Sequence, residues 1–265
     1  MKSVLPIASA ACGCAVVLVA LTRRRRRGEA RARRRAQRFD YLEIGTSDFH
    51  TEAERSPLPC LRRGLSIEPI GEYFDRLPAI AHNRLKLQCA VSSVAGVAEM
   101  HFIPSHVRRA HELPQCLDGC NSLHRVHPQA ERVRHLVEAV PVAVLTFGDV
   151  CRRCDVGRIG LLKVDAEGHD AEILESMIAH CDASGGGACF PALILFESRG
   201  HGGEPQREEA IVATLRARGY EVLHQGCDTV LSRRVAHLST VKRCHREAAL
   251  KRASFERWLG SWCGG

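Results

Sequence analysis

The chain has 265 residues, 45% of them hydrophobic, and a formal net charge of +8. That apolar content supports a sizeable core and excludes a natively disordered chain. The charge is local: residues 1–38 hold Lys2 and ten arginines against Glu29 alone, so the remainder is slightly acidic and no specific nucleic-acid partner is expected.

Residues 4–22 form a run of 19 without a charge. As a helix this run would span about 28 Å, close to the hydrocarbon thickness of a bilayer. It reads as a membrane anchor, because only Lys2 precedes it while Arg23 to Arg27 follow, which places the body on the cytosolic side. A cleaved signal peptide with a lumenal body is the alternative. Residues 23–38 then read as a solvated, arginine-rich linker that touches anionic headgroups.

From residue 39 onward, short apolar runs alternate with stretches of helical period, the pattern of a parallel sheet with helices on both faces. The expected strands are 39–45 (FDYLEIG), 64–69 (GLSIEP), 84–92 (RLKLQCAVS), 159–165 (IGLLKVD) and 192–198 (ALILFES). A hairpin follows at 220–226 and 229–234, turning near Gly226, Cys227 and Asp228. Helices are expected at 70–77, 170–179 and 204–218. Residues 100–140 are rich in His, Pro and Arg without a clear period, and are read as an insertion that covers the active site. Residues 185–187 read as a flexible glycine link, residues 39–240 as one catalytic domain, and residues 241–265 as a tail with a short helix at 254–262.

Thirteen cysteines are present. In a cytosolic body they are mostly free thiols packed as small apolar groups, whereas a lumenal body would allow some to pair. Cys116, Cys120, His124 and His127 make a C-x3-C-x3-H-x2-H string of zinc-ligand types, but the spacing is unlike that of common structural sites, and no metal is expected. Cys151 and Cys154, a lone C-x2-C, read as two residues of a helix.

The chemistry-bearing residues fall at strand ends. The first strand closes in Glu43, Gly45, Thr46, Ser47 and Asp48, a glycine turn that lets a ligand approach the backbone. Neither a G-x-G-x-x-G set nor a Walker pattern occurs, which disfavours a dinucleotide and a nucleoside triphosphate. Glu68 lies 23 residues beyond Gly45 at the tip of the second strand, the position from which α/β folds accept hydrogen bonds from ribose hydroxyls. The fourth strand breaks into LLKVDAEGHD, where Asp165 and Glu167 are too costly to bury without partners. Asp165, His169 and Glu197 are the candidates for a base or an orienting carboxylate, with His169 or Asp165 favoured as the base. Glu167 also suits the first turn of a helix. Asn121, Ser122, His124 and His127 in the insertion offer donors and acceptors to a polyhydroxylated or amide substrate.

Together, YLEIGTSD, SIEP, LQCAVSSVAG, LLKVDAEGHDAEIL, ILFES and GYEVLHQGCDTVL resemble the FkbM family of class I S-adenosylmethionine-dependent methyltransferases over roughly residues 40–233. The resemblance implies a Rossmann-like, mostly parallel seven-stranded α/β sheet, order 3-2-1-4-5-7-6 with the last strand antiparallel. It implies S-adenosylmethionine above strands one to four. Glu43 and Gly45 would lie beside its methionine part, Glu68 at its ribose, and Ala90, Val91 and Ser92 about its adenine, with Asp165 also facing the cofactor. Glu43, Thr46 and Ser47 replace parts of the family's Asp-x-Gly-Ala-Asn start. The implied reaction is O-methylation of a hydroxyl on a small-molecule, glycan or lipid acceptor, with Asn121, Ser122, His124 and Glu167 on the acceptor side. The alternative is a scaffold that keeps the fold and the cofactor site without turnover.

Overall fold

The computed structural model describes residues 37–46, 63–77, 84–114, 117, 119–123, 126–185, 189–198 and 204–233. The expected anchor, residues 23–36 of the arginine linker and the tail, together with Ser47, Asp48, Cys116 and His124, lie outside the described residues, while Gln37 and Arg38, expected in the linker, already belong to the first strand. Among the described residues no helix is long and apolar enough to cross a membrane.

Seven strands make the main sheet: β1 (Gln37–Ile44), β2 (Gly64–Ile67), β3 (Arg84–Leu87), β7 (Val156–Val164), β8 (Leu193–Glu197), β9 (Tyr220–Gln225) and β10 (Asp228–Arg233). Their spatial order is β3-β2-β1-β7-β8-β10-β9. Counted in chain order within that sheet, this is the expected 3-2-1-4-5-7-6. β2 pairs parallel with β1 and β3, β8 pairs parallel with β7, and β10 is antiparallel to both β8 and β9. The inner strands are apolar on both faces because both are covered. Leu42, Ile44, Leu162 and Val164 join the larger core cluster with α-helical residues, while Tyr41, Leu161, Leu193, Leu195 and Val230 form a smaller cluster of their own.

Three further strands, β4 (Ala90–Ser92), β5 (Gly96–Phe102) and β6 (Glu138–Thr146), form a second sheet in the order β4-β6-β5. The expected single strand 84–92 is therefore two. β2 offers partners to β3 only as far as Ile67 opposite Leu87. Beyond that the backbone must pair elsewhere, and Ala90 to Ser92 run parallel to Val144 to Thr146 of β6. The insertion is likewise more regular than expected. β5 alternates, burying Met100 and Phe102, and β6 buries Val142 and Val144 against them. Pro141 obscures the β6 pattern in the sequence. It is tolerated because β4 pairs only with the far end of β6, leaving the strand a local edge at Pro141.

Among the described residues the helices are α1 (Gly71–Arg76), α2 (Ser105–Ala110), α3 (Phe147–Cys154), α4 (Asp170–Ala183) and α5 (Pro205–Ala217), with a 3-10 segment at Pro128–Leu136. Thr146 caps α3: its hydroxyl accepts from the Asp149 N–H, and the Asp149 carboxylate accepts from the Thr146 N–H. Cys151 and Cys154 both lie on α3. α4 starts where expected and runs four residues longer than the sequence suggested, because Met177, Ile178 and Cys181 continue its buried stripe.

Candidate active site

The first strand-to-helix turn is set by a glycine. Gly45 has φ +79°, and a Cβ there would fall 1.8 Å from the carbonyl oxygen of Asp165. Only glycine lets β1 and the end of β7 approach this closely, and the Asp165 N–H donates to the Ile44 carbonyl at 2.9 Å. The second turn is strained on its own account: Glu167 has φ +49° and Gly168 φ +89°. A non-glycine residue in the left-handed region is uncommon, and here it sits beside the cavity.

That cavity, about 330 Å³, opens over the carboxyl ends of β1, β2 and β7, where open α/β sheets hold ligands. Glu43, Glu68, Asp165 and Glu167 line it together with one ammonium, Lys163. Ile44, Pro69, Ala90, Val91, Met100 and Leu123 supply the apolar wall. The volume lies within the range of about 300–1,000 Å³ usual for small-molecule sites. Among the described residues, four carboxylates against one ammonium favour a ligand that carries positive charge.

Each polar group has a structural anchor. Lys163, 8% exposed, stands on the same face of β7 as Asp165, two residues on. Its Nζ lies 3.3 Å from Glu43 Oε1 and 3.1 Å from Asp165 Oδ2, so one ammonium ties together the ends of β1 and β7. Glu68 Oε1 accepts the Ile70 N–H at 2.9 Å, and Oε2 accepts the Thr46 N–H at 3.3 Å and the Thr46 hydroxyl at 3.4 Å. These donors fix the carboxylate at the tip of β2 against the Gly45 turn.

On the opposite wall, His169 Nδ1 lies 2.8 Å from Glu172 Oε2, and Glu172 Oε1 lies 3.5 Å from Arg207 on α5. A carboxylate at one ring nitrogen sets the orientation of the imidazole, the arrangement by which histidines are prepared for proton transfer. His127 Nε2 lies 3.0 Å from Glu167 Oε2, while His127 Nδ1 accepts the Gln129 N–H. The Ser122 hydroxyl donates to the Glu167 carbonyl at 3.4 Å, and Ser122 exchanges backbone hydrogen bonds with His101 of β5. The insertion therefore holds the strained Glu167 turn from two sides.

Beneath the cavity Asp170 is buried, and its two oxygens accept the N–H groups of Ala166 (3.0 Å) and Glu197 (3.2 Å). One side chain thus joins the turn after β7 to the end of β8. Burial, and then the nearby Asp165 charge, push its carboxyl up to about 8 against the pull of those donors. Burial, followed by the charges of Glu167, Asp165, Asp170 and Asp228, pushes Glu197 up to about 9.

The structure thus gathers Glu43, Gly45, Glu68, Ala90, Val91, Asn121, Asp165, Glu167 and His169 around one cavity. Three expected residues stand elsewhere. Glu197 sits with Asp170 and Arg207 in a separate cleft of about 10 Å³, and a carboxyl raised so far holds its proton at neutral pH, the wrong state for a base. Ser122 is buried and supports Glu167 rather than lining the cavity, and Ser92 ends β4 outside the cavity wall. Of the zinc-type string, Cys120 donates to Gln129 Oε1 and His127 faces Glu167. Among the described residues no group of three or more His, Cys, Asp or Glu side chains is placed to hold a metal. Sequence reasoning missed Lys163 as a site residue, although a lysine inside a buried apolar strand, two positions before an aspartate, was a legible signal. It also missed Met100, Leu123 and the joining role of Asp170, which depend on tertiary pairing.

Comparison with known proteins gives a match of residues 43–222 to the methyltransferase FkbM domain. No curated protein matches. Among solved structures, a fibrillarin pre-rRNA processing protein from Methanococcus jannaschii aligns at 10% identity and a TM-score of 0.35, over 74% of this chain and 65% of that one. A fibrillarin/Nop5p complex gives 10% identity and a TM-score of 0.35, over 76% and 73%.

Proposed function

Since this chain belongs to the FkbM methyltransferase family, we propose that it transfers a methyl group from S-adenosylmethionine to a hydroxyl of a small-molecule, glycan or lipid acceptor. The observation that carries this reading is the cavity itself, which sets four carboxylates and an oriented histidine against an apolar wall at the carboxyl edge of the sheet. The donor set fits the cofactor. Glu68 at the tip of β2 suits the paired ribose hydroxyls, Val91 and Ala90 offer an apolar flank for adenine, and the acidic surroundings of Glu43 suit a cationic ammonium and sulfonium. When bound, the cofactor supplies an electrophilic methyl on a positively charged sulfur.

The chain's own contribution is alignment and proton removal. Asn121 and Glu167 stand on the insertion side of the cavity, where they orient an acceptor hydroxyl. His169 takes the hydroxyl proton as the oxygen acquires the methyl, its ring steadied by Glu172. Asp165 is engaged with Lys163 and is assigned to orientation rather than to the proton. Membrane attachment through residues 4–22 belongs to the same proposal and rests on the sequence alone.

Release of S-adenosylhomocysteine in the presence of pooled sugars, lipids and hydroxylated small molecules tests this reading. His169→Ala is expected to lower kcat by about 10²–10⁴-fold, the usual contribution of a general base, with cofactor affinity retained. Cofactor binding without release on any acceptor would instead support the scaffold alternative.

A further inference from the structure

At the far end of α4 from His169, Cys181 Sγ donates to Cys189 Sγ at 3.0 Å. Cys181 is fully buried in the last turn of the helix, and Cys189 is half-buried on the segment that leads into β8. Eight positions separate them in sequence, and Gly185, at φ +84°, lies between them with open space around it. His180 hydrogen-bonds to Cys189.

We infer that Cys181 and Cys189 form a redox pair which a low-molecular-weight disulfide converts to an intramolecular disulfide. The argument is geometric. The two sulfurs are already in contact, so the covalent bond needs about 1 Å of approach to reach a normal S–S length near 2.05 Å. The turn at Gly185 lets the chain give that ångström without moving the strand or the helix body.

The environments also assign the order of events. Cys189 is the accessible member, and the hydrogen bonds from Cys181 and His180 pull its thiol well below the ordinary range, against the opposing effect of burial. The Cys181 thiol is pushed up by donating to Cys189 and by burial. The Cys189 thiolate therefore attacks the incoming disulfide RSSR, forming a Cys189–SR bond and expelling one thiolate RS⁻. Cys181 then gives up its proton and attacks the Cys189 sulfur, forming the internal bond and expelling the second RS⁻. Two protein thiols are oxidised and one small disulfide is reduced to two thiols.

Neighbouring thiols do not compete on these terms. Cys151 and Cys154 stand on α3, and burial holds both thiols above the ordinary range, Cys151 at about 12. The pair joins the end of α4 to the entry of β8 and is remote from the catalytic wall, so it stands or falls independently of the methyl-transfer reading.

The test is incubation of the full chain with glutathione disulfide, an acid quench, alkylation in denaturant, and proteolysis followed by mass spectrometry without reduction. The expected product is one internal linkage, Cys181 to Cys189, reversed by dithiothreitol, with a higher Tm than the reduced chain. In Cys189→Ser, Cys181 is expected to remain alkylatable after the same treatment, and Cys151→Ser is expected to leave the linkage intact. A stable glutathione adduct on Cys189 with Cys181 still free, a linkage to Cys151 or Cys154 instead, or no oxidation of either thiol would overturn the inference.

Discussion

Lys163 shows how much of the site hangs on single side chains. Its ammonium is buried between Glu43 and Asp165, and the Glu43 side chain is itself 2% exposed. Removing one partner of a buried pair leaves the other charge uncompensated, at a cost of about 3–5 kcal/mol. Lys163→Met is therefore expected to lower stability in urea denaturation by about 3 kcal/mol, and adding Glu43→Gln should recover most of the loss. A loss below about 0.5 kcal/mol would mean that the pair is solvated and idle. At this scale the sequence was partly legible. Glu43, Glu68, Asp165 and His169 announced themselves as polar groups at the ends of apolar strands, where burial demands a partner. Glu197 announced itself in the same way, but it stands in a separate cleft beside Asp170, and no one-dimensional pattern distinguishes a strand end facing the cavity from one facing a neighbouring acid. Lys163 was legible by the same logic, as a lysine inside an apolar strand that must find a partner, but it was passed over as an interruption of the run.

At the scale of elements, the site exists because two turns bring β1 and β7 into contact. Gly45→Ala would place a methyl 1.8 Å from the Asp165 carbonyl oxygen at a φ that L residues avoid. Neither backbone can yield without breaking the Asp165 to Ile44 hydrogen bond. The substitution is expected to cost about 3 kcal/mol or more and to abolish cofactor binding, measured by urea denaturation and calorimetry. A soluble, normally stable Gly45→Ala chain would show that the close approach is not required. The main-sheet strands were legible because strands buried on both faces give unbroken apolar runs flanked by turns. The second sheet was not. Gln88 and Cys89 carry no turn signal, so the passage from β3 to β4 is set by where β2 stops. Residues 139–145 are an apolar run broken by Pro141, whose acceptability depends on a neighbour that arrives from far away in the chain.

For the molecule as a whole, the buried acids beneath the cavity link stability to pH. In the folded chain the Asp170 and Glu197 carboxyls titrate near 8 and 9, whereas the unfolded chain releases the same protons in the ordinary carboxylate range. The folded state therefore holds more protons across the interval, and by linkage their contribution is fully present in acid and is lost as pH rises through the folded values. The urea midpoint is expected to fall between about pH 6 and about pH 9, with a shallower fall in Glu197→Gln, where the amide has no proton to lose. An unchanged slope in that variant would place the titration elsewhere. The central claim, that the cavity over β1, β2 and β7 is a S-adenosylmethionine site, is tested most directly by titration calorimetry of the full chain and of Glu68→Gln with S-adenosylmethionine and S-adenosylhomocysteine. Both ligands are expected to bind at one site, and the variant to bind each at least about tenfold more weakly, a change of about 1.4 kcal/mol. Absence of binding to the unaltered chain, or equal affinity in Glu68→Gln, would contradict the account.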